Sequence, residues 1–127
     1  MMLQGKKSGF TLIELMVVMV VIATLLTIAV PRYFSHLDKS REAVLQQNLA
    51  LLRETLDKYY SDKGMYPESL DELVSSRYLR SVPADPMTGS NTSWVSIAPD
   101  PSEAGGVYDV KSGAQGIALN GTEYRNW

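Results

Sequence analysis

A predominantly apolar run from Phe10 to Val30, broken by a single carboxylate at Glu14, constrains this chain more than any other feature. At about 1.5 Å per helical residue, its roughly 21 residues reach about 31 Å, close to the ~30 Å hydrocarbon thickness of a bilayer. As a helix the run can span a membrane. Glu14 is costly there, by about 2.5 kcal/mol or more near the bilayer centre and less near the interface, so its position near the N-terminal end needs a reason.

The nine residues before the run carry Lys6 and Lys7, no acidic residue, and end in Ser8-Gly9. An ordinary secretory signal has a shorter apolar region and an A-x-A-like cleavage site, and any such site near Ala29 would face Pro31. The run therefore reads as retained. Its basic flank keeps the N-terminus cytoplasmic and sends the rest of the chain across, giving a single-pass, N-in and C-out topology. The 127 residues leave room for this span and one small domain. Cysteine is absent, which excludes disulfides and thiolate chemistry. The one histidine, His36, reads as a solvated residue. A formal charge of −2, or about −4 without Lys6 and Lys7, makes nucleic acid an unsuitable partner.

Beyond Pro31, which is expected to kink or locally unwind the helix, neither Gly nor Pro occurs from Tyr33 to Lys63. Leu37, Val44, Leu45, Leu49, Leu52, Leu56, Tyr59 and Tyr60 recur mostly at three- and four-residue spacings, which predicts an amphipathic helix. Its mixed-charge side, with Lys39, Arg41, Glu42, Gln46, Gln47, Arg53, Glu54 and Lys58, reads as solvated. Gly64 is the expected helix stop. A short helix is expected over Glu68–Val74, a rigid loop over Val82–Gly89, and strands at Trp94–Ile97 and Val107–Val110. Ile117–Leu119 and Thr122–Tyr124 flank Asn120-Gly121, a type I′ hairpin signal. The predicted fold class is α+β, a long N-terminal helix packed on a small antiparallel sheet.

The sequence Gly9-Phe10-Thr11-Leu12-Ile13-Glu14 resembles the processing site of type IV pilins and type II secretion pseudopilins. Gly64-Met65-Tyr66-Pro67, the small leucine helix and the Asp85-Pro86 loop follow in the order of the major pseudopilin subgroup. The resemblance implies a pilin-like fold, cleavage between Gly9 and Phe10 by a prepilin peptidase, and N-methylation of Phe10. It also implies an assembly role for Glu14 and a helix kink at Pro31. The expected organisation is a cleaved cytoplasmic leader over 1–9, a transmembrane half-helix over 10–31, an amphipathic half over 32–63 and a small periplasmic part over 64–127. The expected function is that of a structural subunit, not an enzyme: a homo-oligomeric helical pseudopilus that serves type II protein secretion. Its partners would be other pilin-like subunits, the peptidase, and an inner-membrane assembly platform with its ATPase. A pilin of an extended type IV pilus and a non-polymerising membrane-anchored assembly factor are the alternatives. The short C-terminal part and the missing cysteines favour the pseudopilus.

The resemblance gives Glu14 a physical sense, because cleavage at Phe10 creates an α-ammonium group at the helix end. Glu14 of one subunit can then meet the Phe10 amine of its neighbour. Headgroup-level solvation is the bland alternative. Catalysis has no convergent group: Asp85, Asp100, Glu103 and Asp109 all lie in or near turns. Major pseudopilins often bind calcium after the last strands, but here Ser112-Gly113-Ala114-Gln115-Gly116 carries Gln115 where an aspartate belongs, so no metal or other cofactor is expected. Asn120-Gly121 and Asn126-Trp127 are expected to pin this loop by hydrogen bonding and aromatic burial instead.

Overall fold

A computed structural model describes residues 9–127. Residues 1–8, which hold Lys6, Lys7 and most of the expected leader, lie outside the described residues. One helix, α1, runs from Leu12 to Lys63. The chain divides into two compact units, residues 1–37 and residues 38–127, each with its own physical logic.

In the first unit α1 is apolar on every side, and its side chains from Leu12 to Phe34 are exposed. A helix apolar all round is one built for a lipid or protein surround, because water on any face of it is unfavourable. Its two interior threonines satisfy their own hydroxyls: Thr24 Oγ1 donates to the Val20 carbonyl at 2.8 Å and Thr27 Oγ1 to the Thr24 carbonyl at 2.6 Å. That is how a hydroxyl sits in an apolar medium without an outside partner. Helical backbone continues through Pro31, which supplies no N–H for the Thr27 carbonyl.

In the second unit the helix has one buried stripe. Leu45, Leu49, Leu52, Leu56 and Tyr59 recur at four- and three-residue steps, and they share a core with Leu73, Trp94, Val107 and Val110. Leu37 is half-buried, and Val44, counted in the stripe by its spacing, is exposed. Gly64 ends the helix in a left-handed conformation, with its N–H donated to the Tyr60 carbonyl at 2.8 Å. Helix α2, Leu70–Ser75, begins two residues later than expected. Its N-terminus is held by Glu72, whose carboxylate accepts the Glu68 N–H at 2.6 Å and the Tyr59 hydroxyl at 2.9 Å. Arg77 follows it at φ 66°, the one non-glycine in the left-handed region among the described residues.

Strands β1, Val95–Ile97, and β2, Asp109–Lys111, pair antiparallel in the register Val95 to Lys111, Ser96 to Val110 and Ile97 to Asp109. The loop between them folds back on the Gly64–Pro67 connector. Tyr66 N–H donates to the Ala104 carbonyl, and Gly106 and Val107 both donate to the Pro67 carbonyl. The approach is so close that a Cβ on Gly105 or Gly106 would run into the Tyr66 or Glu68 main chain, which is why a glycine pair stands there.

The C-terminal hairpin differs from its expected form. Ile117 and Glu123 make one isolated bridge, and Tyr124–Asn126 form a turn of 3-10 helix instead of a strand. The turn runs from Ala118 to Gly121, whose N–H donates to the Ala118 carbonyl at 2.9 Å, and only Gly121 has positive φ. A type I′ turn needs positive φ at both Asn120 and Gly121, so this is a type I turn closed by a left-handed glycine. Asn120 has another task, accepting the Thr122 N–H and hydroxyl.

Candidate functional site

Thr11 stands just before α1, and its Oγ1 accepts the Glu14 N–H at 3.2 Å, so it is the helix N-cap. Apolar Phe10 is 85% exposed. Phe10, Ile13, Glu14, Val17 and Val18 line a shallow hollow of about 470 Å³ on one side of the helix end. The Glu14 carboxylate is exposed and has no ion-pair partner among the described residues. At a helix N-terminus the macrodipole favours negative charge, and this carboxylate stands there in the apolar-walled hollow with no cation of its own among the described residues. Gly9 is a different case. Among the described residues a Cβ there would meet nothing within 4 Å, so packing gives no reason for glycine.

The carboxylates weighed for catalysis are dispersed, each with a structural task. Asp85 is fully buried in the Val82–Gly89 loop, accepting the Ser112 hydroxyl at 2.5 Å on one oxygen and the Met87 N–H at 2.8 Å on the other. The same loop takes Trp94 Nε1 on the Pro83 carbonyl and Asn48 Nδ2 on the Ala84 carbonyl. Asp100 accepts the N–H and hydroxyl of Ser102, which hold its carboxyl below the usual range. Glu103 accepts the Tyr60 hydroxyl at 3.1 Å, and Asp109 pairs with Arg53 at 2.9 Å.

Two residues placed on the solvated side of the helix are in fact fastened to the chain end. One Glu42 oxygen accepts the Leu119 N–H and the Tyr124 hydroxyl, both at 2.8 Å. Arg53 donates through Nε to Asp109 Oδ1 at 2.9 Å, and through Nη2 to the Val110 carbonyl at 3.0 Å and the Trp127 main-chain oxygen at 2.7 Å. Their positions hint at this. Glu42 lies three residues before Leu45, and Arg53 four after Leu49 and three before Leu56, so both border the buried stripe.

The family profile described as "Prokaryotic N-terminal methylation motif" matches residues 4–30. The fimbrial protein EcpC of Eikenella corrodens is 32% identical over 128 residues, covering 95% of this chain and 78% of that protein. The type II secretion system core protein G of Klebsiella pneumoniae is 29% identical over 138 residues, covering 96% and 95%. Its namesake in Pseudomonas aeruginosa is 28% identical over 143 residues, covering 99% of both. The chain belongs to the type IV pilin-like and type II secretion pseudopilin family. No solved structure matches it.

As a pseudopilin it carries a single membrane anchor: α1 is the one helix among the described residues long and apolar enough to cross a bilayer. The side-chain oxygens of Ser112, Asn120 and Glu123, after β2, already have partners within the protein. Ser112 Oγ is committed to Asp85, the Glu123 carboxylate pairs with Arg125 at 2.6 Å, and Asn120 Oδ1 holds Thr122. Among the described residues no three acidic, histidine or cysteine side chains gather as ligands. A hard cation needs several oxygens, usually with more than one carboxylate, facing a common centre.

Proposed function

We propose that this chain is a structural subunit of a helical pseudopilus serving type II protein secretion. It would enter the inner membrane with residues 1–9 cytoplasmic and its C-terminal part periplasmic, lose its leader between Gly9 and Phe10 to a prepilin peptidase, and be N-methylated at Phe10. The observation that carries this reading is an all-round apolar helix whose side chains are exposed in the single chain. Such a surface suits lipid first and packed copies of itself afterwards. The near full-length similarity to core protein G supports the subgroup.

In this mechanism cleavage does the chemistry and assembly uses its product. Removing the leader turns the Phe10 amide into an ammonium, which pairs with Glu14 of the subunit ahead as both leave water. A glycine that packing does not require fits the first step, since a peptidase must admit the main chain at that bond. Pro31, by leaving the Thr27 carbonyl without its helical N–H, would soften the helix so that packed copies can adjust. Energy for addition comes from an ATPase acting through an assembly platform, and other pilin-like subunits share the filament. No catalytic role is assigned to the chain itself.

N-terminal sequencing of the mature protein tests cleavage, with Phe10 expected as the first, methylated residue. Glu14→Ala is expected to insert in the membrane normally yet fail to assemble, scored by filaments on overexpression and by secretion. Normal filaments from this variant would remove Glu14 from the mechanism. The Eikenella fimbrial relative supports a second reading, a pilin of an extended surface pilus. Surface fibres with secretion intact on deletion of the gene would select it.

A further inference from the structure

The oxygens that gather on Arg53 come from segments far apart in the chain: a carboxylate and a main-chain carbonyl from β2, and the main-chain oxygen of Trp127. A second cation acts beside it, Lys111 Nζ donating to the Asn126 carbonyl at 3.2 Å. A carboxylate and main-chain oxygens are the donor types a hard cation takes, though three are fewer than the roughly six to eight of a calcium site. Here the charge belongs to a side chain.

We propose that Arg53 is the resident cation of this pseudopilin, its guanidinium standing in for a divalent metal as the link between α1, β2 and the chain end, so that the protein folds and assembles without calcium. A guanidinium suits the task because it stays charged at all physiological pH and presents several N–H donors in a fixed plane. It can therefore satisfy three acceptors at once, each charge-assisted. The attachment is reinforced away from the cation. Trp127 Nε1 donates to Thr122 Oγ1 at 2.8 Å, the Trp127 ring packs edge-on to Tyr124 at 5.3 Å, and Glu42 takes the Tyr124 hydroxyl. Ser112, which opens the loop matching the calcium segment, is turned to Asp85 instead.

Only the metal dependence of assembly draws on the subunit reading, so folding measurements separate the two. The full chain in detergent micelles is heated with EDTA or with excess calcium chloride, and titrated with terbium while tryptophan-sensitised emission is followed. Wild type is expected to unfold at the same temperature in both and to give no saturable terbium emission. A calcium-raised midpoint or saturable emission would overturn the proposal.

Hydrogen exchange then tests Arg53 itself. Arg53→Gln is expected to exchange about tenfold or more faster at the Tyr124, Asn126 and Trp127 amides, with the Tyr66 and Val107 amides unchanged. Arg53→Lys, which keeps the charge but reaches fewer acceptors, is expected in between, and it decides the matter alone if Arg53→Gln does not accumulate. Wild-type exchange at the chain end in whichever variant is measured would overturn the role of Arg53. Filaments that form in EDTA extend the result to assembly; filaments that require calcium would refute it there, whatever becomes of the secretion reading.

Discussion

Helix α1 passes through two regimes without a change of backbone. Up to Val30 it exposes leucine, valine and isoleucine on every side, whereas from Asp38 onward it hides one stripe and leaves a mostly polar remainder, with Val44 and Leu51 exposed. The same residue type therefore means different things. Leu26 is 52% exposed and awaits a lipid or a neighbour, while Leu52 is fully buried and already has its partners. The first region stores its apolar surface for assembly, and the second spends it on its own fold.

A matched pair of substitutions tests that contrast most severely. Leu52→Ala is expected to destabilise residues 38–127 by about 2–5 kcal/mol, read by urea unfolding of the full chain in detergent micelles. Leu26→Ala should leave that transition in place. Equal losses would show that the two regions fold as one unit.

Asp85→Ala removes the acceptor of the Ser112 hydroxyl and the Met87 N–H inside a dry site, at an expected cost of about 1–3 kcal/mol. The same unfolding measurement reads it, and an unchanged midpoint would show that these two hydrogen bonds do not hold the loop.

Alkaline pH should act on the second region alone. The Tyr124 hydroxyl is pushed up to about 12, first by burial and then by its hydrogen bond to Glu42 and the charges of Glu42 and Asp38. Tyr59, Tyr60 and Tyr78 move upward too, each mainly through a hydrogen bond to a carboxylate. A phenol held protonated in the fold contributes stability that is complete below its unfolded value near 10.0 and is lost as pH climbs toward about 12. Melting temperature should thus hold to about pH 10 and fall above it, less steeply in Tyr124→Phe.

The smallest effect expected is a gain. Arg77 occupies the left-handed position after α2 at a cost of about 1 kcal/mol, so Arg77→Gly should raise stability by a few tenths of a kcal/mol up to about 1. A loss would mean that the arginine side chain contributes more than its backbone costs.

Much of this was legible from the chain because it is local. Gly9 through Glu14, the apolar run and the stripe from Leu45 to Tyr59 are patterns of neighbours, and Gly64 marks its own φ. The tasks of Arg53, Glu42 and Asp85 were not, because their partners lie 56, 82 and 27 residues away, and a charge on a helix flank looks the same whether water or a chain end faces it. Strands of three residues carry too little alternation to fix their ends. In the last hairpin, Asn120-Gly121 marked the turn correctly but not its type, because the Asn120 side chain binds Thr122 and keeps its own backbone out of the left-handed region.

The Thr11 cap has a consequence for the proposed leader removal. Because the cap lies beyond the Gly9-Phe10 bond and holds the Glu14 N–H while that bond is intact, the helix end needs no cut to be wound. The proposed leader removal would therefore change the electrostatics of the helix end without having to wind it. On the proposed cleavage, the membrane would store chains whose helix end is already wound, and the cut would exchange the charges of Lys6 and Lys7 for one ammonium placed at Phe10, within reach of a carboxylate.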